Sequence, residues 1–163
     1  MKYERFEDLP VWNDGIGLSV AAFNLTEDRN FRYKGDLASQ LQRAALSVPN
    51  NVSEGFERGT TQELITFLYY AKGSAGEVRS MTYVMDRLKF LSHLKSEISD
   101  LRSLAESISR QLAAWLRSLQ NTTITGHRHL TDKARAADEQ KKQADAFMEK
   151  LRQSLPPSRR APR

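Results

Sequence analysis

Residues 29–34 have the composition best suited to contact a nucleic acid. Cations and aromatic rings alternate there, in the order Arg29, Asn30, Phe31, Arg32, Tyr33 and Lys34. Cationic side chains bind phosphates, and aromatic rings stack on exposed bases. We therefore regard Arg29, Arg32 and Lys34 as candidate nucleic-acid contacts. The alternative is an ordinary helix connection, in which Phe31 and Tyr33 pack on the end of a helical domain.

A second basic region lies at the end of the chain. Of the 25 lysine and arginine residues, 15 fall within residues 1–126, where they balance 15 of the 20 acidic residues. Residues 127–163 hold the other 10 cations and 5 acids, which accounts for the whole net charge of +5. Such a segment attracts phosphates over a long range, with a solubilising tail as the alternative. Its candidate contacts are Arg128, Lys133, Arg135, Lys141, Lys142, Arg152, Arg159, Arg160 and Arg163.

The sequence offers little to a metal or a cofactor. Its histidines are His93, His127 and His129, and it has no cysteine, which excludes thiolate sites and disulfides. The Glu-x-x-His pairs of di-iron bundles, phosphate loops and dinucleotide fingerprints do not occur either. We expect no metal, no cofactor and no catalytic residue. The absence of cysteine favours a reducing compartment, the cytoplasm.

Apolar residues recur at helical spacing almost everywhere, and no segment alternates with a period of two. The sequence therefore predicts an all-α protein whose residues 1–120 form an antiparallel up-and-down four-helix bundle. Its helices are expected at about 10–25, 36–59, 60–91 and 95–119. Residues 121–129 have the composition of a linker. Residues 130–163 are expected to form a basic extension, with a marginal helix to about 151 and a disordered end.

Two further expectations concern membranes and the first helix. No apolar run reaches the roughly 20 residues of a membrane helix, and the first residues lack the apolar centre of a signal peptide. We therefore expect no membrane partner. In the first helix, large apolar residues at helical spacing predict the side that faces the core. These residues are Leu9, Trp12, Ile16, Val20 and Phe23.

The second predicted helix combines an internal proline with a line of polar residues. Pro49 removes a backbone donor and clashes with the preceding turn, which costs about 3 kcal/mol, so the freed carbonyl or the bend is expected to have a use. The polar line is either a solvated flank or a hydrogen-bonded seam against another helix or subunit. It comprises Gln40, Arg43, Ser47, Asn51, Glu54 and Arg58.

The outer side of the third helix carries two glycines. Inside a helix, Gly73 and Gly76 each cost about 1 kcal/mol relative to alanine. This cost favours the close approach of another backbone over harmless surface positions. A homo-oligomer would use this side together with the polar line. The expected interface comprises Arg43, Leu46, Ser47, Asn51, Glu54, Tyr69, Gly73, Gly76, Ser80 and Val84.

Three segments resemble the small four-helix proteins first noted as reading frames within intervening sequences of 23S rRNA. The first contains Phe6, Leu9, Val11 and Trp12. The second contains Gln40, Leu41, Arg43, Ala44, Ala45, Ser47, Val48, Pro49, Asn51, Val52, Glu54, Gly55 and Phe56. The third contains Phe67, Leu68, Ala71, Gly73, Ser74 and Glu77. The resemblance extends over residues from about 6 to 120.

This resemblance implies a ring-shaped homopentamer of four-helix bundles, without known enzymatic activity, that binds RNA. The family includes the accessory variability determinants of diversity-generating retroelements, which bind a reverse transcriptase and nucleic acid. Residues 71–80 are similar to those members. We therefore expect RNA, an RNA/DNA hybrid and a reverse transcriptase as partners, in template-RNA-primed cDNA synthesis. A purely protein-binding scaffold is the alternative. The basic extension has no counterpart in the family pattern.

One further pair of residues suggests an enzyme. Arg87 and His93 have five residues between them, similar to the spacing in the HEPN superfamily of helical-bundle ribonucleases, where arginine and histidine serve RNA cleavage. Leu88 follows the arginine at a position that is polar in that pattern. We interpret the pair as a surface charge and a turn histidine, and a ribonuclease remains the alternative.

Overall fold

The computed structural model describes residues 3–31, 35–121, 140, 143, 144, 146–148 and 150. The chain forms two compact units, Met1–Gly126 and His127–Arg163. The first unit contains four long helices, α1 (Pro10–Thr26), α2 (Gly35–Glu57), α3 (Thr61–Met85) and α4 (Lys95–Gln120). Short 3-10 helices at Phe6–Asp8 and Lys89–Leu94 precede α1 and α4. The described residues of the second unit are helical.

Contacts across the helices show that neighbours run antiparallel. Gly15 lies against Pro49, whereas Ser19, later in α1, contacts Ala45, earlier in α2. The other neighbours show the same reversed order, in the pairs Gly55–Phe67 and Ser47–Ser74 (α2 with α3), Tyr69–Gln120 and Thr82–Arg102 (α3 with α4), and Asp14–Gln111 and Gly17–Leu104 (α1 with α4). Because α4 also packs on α1, the helices close into the predicted up-and-down bundle.

Aliphatic side chains fill the space between the four helices. The inner sides of α2, α3 and α4 consist of apolar residues at helical spacing, and their central members are fully buried. These are Leu41, Val48, Val52, Leu64, Leu68, Ala71, Ala75, Val78, Met85, Ile98, Ala105, Ile108 and Leu112. Phe31 and Leu91, from the α1–α2 and α3–α4 connections, are buried as well. Both connections lie at the same end of an up-and-down bundle, so these two side chains close that end.

The predicted inner side of α1 is wrong for three of its five residues, whereas Leu9 is buried and Trp12 packs against the core. Ile16, Val20 and Phe23 are 37%, 53% and 42% exposed. The buried face instead consists of Val11, Gly15, Leu18, Ser19, Ala22, Leu25 and Thr26. Four of these seven residues are small or polar, so the pattern of large apolar residues was misleading. Small side chains face α2 because they allow its backbone to come close.

The contact between α1 and α2 explains how the internal proline is tolerated. Pro49 has no N–H, so the carbonyl of Ala45 loses its usual helical donor. The hydroxyl of Ser19 donates to this oxygen at 3.1 Å and also approaches the Gly15 carbonyl at 2.9 Å. A Cβ added at Gly15 would lie 3.3 Å from Pro49 atoms. The freed carbonyl predicted at Pro49 is therefore used, as a link between two helices.

α3 begins where it was predicted and ends earlier. The Thr60 hydroxyl accepts the Glu63 amide at 3.2 Å, as an N-terminal cap. The helix was expected to continue to about residue 91, but it ends at Met85. The chain then turns into the second 3-10 helix, in which Leu91 is fully buried. Since a straight helix would carry Leu91 past the end of the core, burial of that side chain favours the early turn.

We expect Ser19→Ala to lower the free energy of unfolding by about 1–3 kcal/mol, because it leaves the buried Ala45 carbonyl without this donor. Urea unfolding followed by circular dichroism measures the loss. The control is the same substitution in a Pro49→Ala background, where residue 49 supplies its own N–H to the carbonyl. The cost of Ser19→Ala should be smaller there, and an equal cost in both backgrounds would contradict the proposed link.

Candidate functional site

The polar line of α2 meets α3 in a seam and a groove. Ser74 Oγ donates to Ser47 Oγ at 2.9 Å, and Asn51 Nδ2 donates to the Ser47 carbonyl and hydroxyl oxygens at 2.7 and 2.9 Å. This part of the line is therefore a hydrogen-bonded seam within the chain. Beside it lies a groove of about 460 Å³. Its polar lining consists of Gln40, Arg43, Ser47, Ser74, Glu77 and Ser80.

Two charged side chains in the groove remain available to a partner. Arg43 and Glu77 are exposed, and neither forms an ion pair with another residue in the described part of the chain. The described lining residues include no histidine that could act as a base toward the serines. The groove thus has the chemistry of a polar binding surface: a guanidinium, a carboxylate and several hydroxyls.

The other end of the polar line is satisfied within the chain. Arg58 forms an ion pair with Glu54 at 2.6 Å and approaches Glu63 at 3.9 Å. Its guanidinium also lies 5.1 Å from the centre of the Phe67 ring. These exposed ion pairs add little stability, but they engage the charged side chains at the Glu54 end of the polar line. Of the predicted interface residues on this line, Arg43 is therefore the one best placed to reach outward.

The glycines of α3 face open space. A Cβ added at Gly73 or Gly76 would meet no described atom within 4 Å, apart from its own helix. The flanking side chains Tyr69 and Val84 are 47% and 51% exposed, and Ser80 is exposed beside them. No helix of the described bundle uses the space that these glycines leave. Any close approach there has to come from outside the bundle.

Leu46 lies on a different surface from the other predicted interface residues. It follows Ala45, which contacts Ser19 of α1, and it is 42% exposed. In the antiparallel register set by Gly15–Pro49 and Ser19–Ala45, Leu46 lies level with residue 18, between the levels of Ile16 and Val20, two of the residues wrongly assigned to the core. Sequence reasoning therefore missed an exposed apolar surface on the α1–α2 side. The small residues Gly15, Ser19 and Ala22, at helical spacing, were the available signal that α1 turns its bulky side outward.

The structure divides the cation-and-aromatic segment between core and surface. Phe31 is 1% exposed, so it packs on the bundle end as the structural alternative proposed. Arg29 is exposed and remains available for contact. Arg32, Tyr33 and Lys34 lie outside the described residues, as do the candidate contacts of the extension, Arg128, Lys133, Arg135, Lys141, Lys142, Arg152, Arg159, Arg160 and Arg163.

The two residues of the alternative ribonuclease, Arg87 and His93, bond to different partners in the described part of the chain. Arg87 donates to the Tyr83 carbonyl at 2.7 Å. His93 Nε2 instead contacts Asp28 Oδ2 at 3.0 Å and lies 3.4 Å from Asn30 Nδ2. Each side chain is thus engaged by a different partner, one in the helix that has just ended and the other beyond the end of α1. This arrangement fits a turn histidine that links two connections.

Asp28 links the connection after α1 to the second 3-10 helix through His93. The hydrogen bond from His93, followed by that from the Asn30 amide, lowers the pKa of the Asp28 carboxyl from 3.8 to about 2.

No group of three or more histidine, cysteine or acidic residues in the described ranges is arranged to hold a metal. The described helices also include none that is long and apolar enough to cross a membrane.

We expect acid to weaken the fold through Asp28. Because its pKa is lower in the folded than in the unfolded chain, its contribution is complete above about 3.8 and is lost as the pH falls toward 2. The free energy of unfolding should therefore fall more steeply over this interval in the wild type than in Asp28→Asn. Urea unfolding at stepped pH measures both slopes. Asp100→Asn is the control, since Asp100 is exposed and has no ion pair among the described residues. Equal slopes for wild type and Asp28→Asn would contradict this assignment.

Comparison with known proteins places these features in a family. No curated protein matches the chain. A family model described as 23S rRNA-intervening sequence protein matches residues 7–114. The matched region begins just before α1, ends within α4, and includes the polar line and both glycines of α3. The family resemblance drawn from the three sequence segments is therefore confirmed: the chain belongs to the 23S rRNA-intervening sequence protein family.

Proposed function

We propose that this protein is a homo-oligomeric RNA-binding protein of the cytoplasm without catalytic activity of its own. The observation that carries the proposal is the division of charge. Residues 1–126 are neutral, with 15 cations and 15 acids, whereas residues 127–163 carry 10 cations and 5 acids. Binding to phosphates depends on the number of cations that reach them, so the extension supplies the main attraction. Arg29 adds a contact on the bundle.

Oligomerisation makes this modest charge effective. One extension has only five cations in excess, and a single weak site releases RNA readily. Several copies held together raise the effective concentration of each further contact, which increases the overall affinity without a stronger site. A pentamer is the assembly that the family resemblance implies. The exposed side chains of α1, α2 and α3 are available for contacts between copies of the chain.

The contacts of His93 and Arg87 support a binding role. His93 is occupied by Asp28 and Asn30, and Arg87 is occupied by Tyr83. The polar groove between α2 and α3 contains hydroxyls and charges suited to recognition. We assign the protein to the retroelement-associated members of its family, on the similarity of residues 71–80. Its partner would then be a reverse transcriptase, and its ligand an RNA template or an RNA/DNA hybrid during cDNA synthesis.

Neutralising cations in the extension should weaken RNA binding. In the full-length chain, replacing Arg152, Arg159, Arg160 and Arg163 with glutamine should lower affinity for a labelled single-stranded RNA by about tenfold or more at 0.1 M salt. The slope of log affinity against log salt should shrink by about 0.7 for each phosphate that the variant no longer neutralises. Fluorescence anisotropy at several salt concentrations measures both quantities.

A matched variant controls for net charge. It replaces four exposed bundle cations with glutamine, Lys89, Lys95, Arg110 and Arg117. We expect this variant to lose less than about threefold in affinity, with nearly the wild-type slope. If both variants lost affinity equally, binding would follow overall charge and the role assigned to the extension would be wrong.

A further inference from the structure

A cleft lies between α1 and α4, at the end of the bundle where the second 3-10 helix leads into α4. Its volume is about 530 Å³, which is within the size range of protein binding sites. Leu25 and Leu101 are buried at its floor, whereas the other apolar lining residues are half-buried and still offer surface to a partner. These are Ala21, Leu94 and Leu104. The floor of the cleft is therefore apolar and can be reached from outside.

Carboxylates form the edge of this cleft. Asp28, Glu97 and Asp100 line it together with the amide of Asn24, and its described lining residues include no lysine or arginine. Asp28 is bonded to His93 at 3.0 Å. Glu97 and Asp100 are exposed, and neither forms an ion pair with another described residue. These two carboxylates are thus available to a cation from outside the bundle.

The cations nearest to the cleft along the chain do not neutralise its edge. Lys95 precedes Glu97 by two positions, which places it about 200° around the helix, on the other side of α4. The guanidinium of Arg102 is turned toward the α3 side, where it lies 3.5 Å from Asp86. α1 contains no lysine or arginine. Arg29, beyond the end of α1, is exposed and is not among the lining residues. The edge therefore keeps its negative charge.

The position of the cleft leaves it open to a partner other than a second copy of the chain. The expected oligomer interface lies on α2 and α3, and none of its residues lines the cleft. Of the neighbouring helix pairs in the described bundle, α1 and α4 also touch least. A Cβ added at Gly17 would only just reach Leu104 Cδ2, at 4.0 Å. The loose contact between α1 and α4 leaves room for the side chains of a further helix.

The cleft has the length and the chemistry to receive a basic amphipathic helix. From Glu97 to Leu104, α4 advances about 10 Å, or two turns. A helix lying in the cleft would place apolar side chains at i and i+4 on the leucine floor. Lysine or arginine on its flanks would then meet Glu97 and Asp100. The same carboxylates repel phosphates, so the edge disfavours RNA as the occupant.

We propose that the cleft between α1 and α4 docks a basic amphipathic helix of a partner protein. The proposal rests on the protein partner in the proposed function and names the surface that this partner uses. A reverse transcriptase binds nucleic acid, and proteins that do so carry clustered lysine and arginine, so such a partner can supply the helix. The two ligands are then sorted by charge: the acidic cleft binds the protein, and the basic extension attracts the RNA.

A synthetic peptide tests the docking on the full-length protein. The probe is a labelled helical peptide of about 20 residues, made of alanine, leucine and lysine, with two leucines four positions apart and lysines beside them. Fluorescence anisotropy at about 0.1 M salt measures its affinity. Replacing both leucines with alanine, or the lysines with glutamate, should weaken binding by about tenfold or more, because the probe loses either its apolar anchor or its charge.

Paired substitutions in the protein locate the binding surface. Glu97→Gln combined with Asp100→Asn should also weaken binding of the basic peptide by about tenfold, and both positions are exposed, so the fold is retained. Asp36→Asn combined with Glu57→Gln is the matched control, which removes the same charge from exposed positions of α2. The control should bind the peptide as the wild type does. If both pairs weakened binding equally, the peptide would follow overall charge and the docking would be wrong.

Two further measurements on the cleft variant exclude other occupants. Its affinity for single-stranded RNA and its mass in sedimentation should equal those of the wild type. Weaker RNA binding would make the cleft part of the RNA site, and a smaller assembly would make it a contact between copies; either result overturns the proposal.

The outcome for the extension separates this proposal from the proposed function. If the peptide binds in the cleft while the substitutions in the extension leave RNA affinity unchanged, the docking stands and the RNA-binding role of the extension is wrong. If RNA binding depends on the extension but the peptide does not distinguish the cleft variant from the wild type, the docking is wrong and the RNA-binding role stands.

Discussion

The close contact between α1 and α2 governs the rest of this structure. At its centre Gly15 meets Pro49, and the Ser19 hydroxyl supplies the hydrogen bond that Pro49 denies to the Ala45 carbonyl. Such an approach requires small residues on the inner side of α1. The helix is therefore turned so that its large side chains Ile16, Val20 and Phe23 point outward. A constraint of internal packing thus leaves these apolar side chains exposed.

The glycines of α2 and α3 also differ in whether the interior of the bundle leaves room for a side chain. Gly55 is needed inside, because a Cβ there would lie 2.7 Å from Phe67 Cβ. Gly73 and Gly76 meet no such restriction within the bundle. The cost of a glycine in a helix is thus explained by packing at Gly55, whereas packing inside the bundle does not explain it at Gly73 and Gly76. In the proposed function, the bundle is the part that assembles and the basic extension is the part that attracts RNA.

Most of the fold could be predicted because periodicity reports burial directly. α4 has an almost continuous apolar stripe, and its predicted span agrees with Lys95–Gln120. α1 was assigned the wrong face, because a pattern of large residues cannot show whether a partner is another helix or another molecule. The early end of α3 was missed for a related reason. It depends on the burial of Leu91 at the end of the core, a contact between residues that only the assembled bundle brings together.

By itself, the sequence determined the all-α class, the number of long helices, the family and the separation of charge between bundle and extension. These properties follow from composition and local spacing, which every residue carries whatever its neighbours do. The tertiary structure alone decided which side of α1 faces outward, that the Ser19 hydroxyl bonds to the Ala45 carbonyl, and that His93 pairs with Asp28. Each of these depends on the distance between helices, and that distance is set by how closely small side chains let two backbones approach.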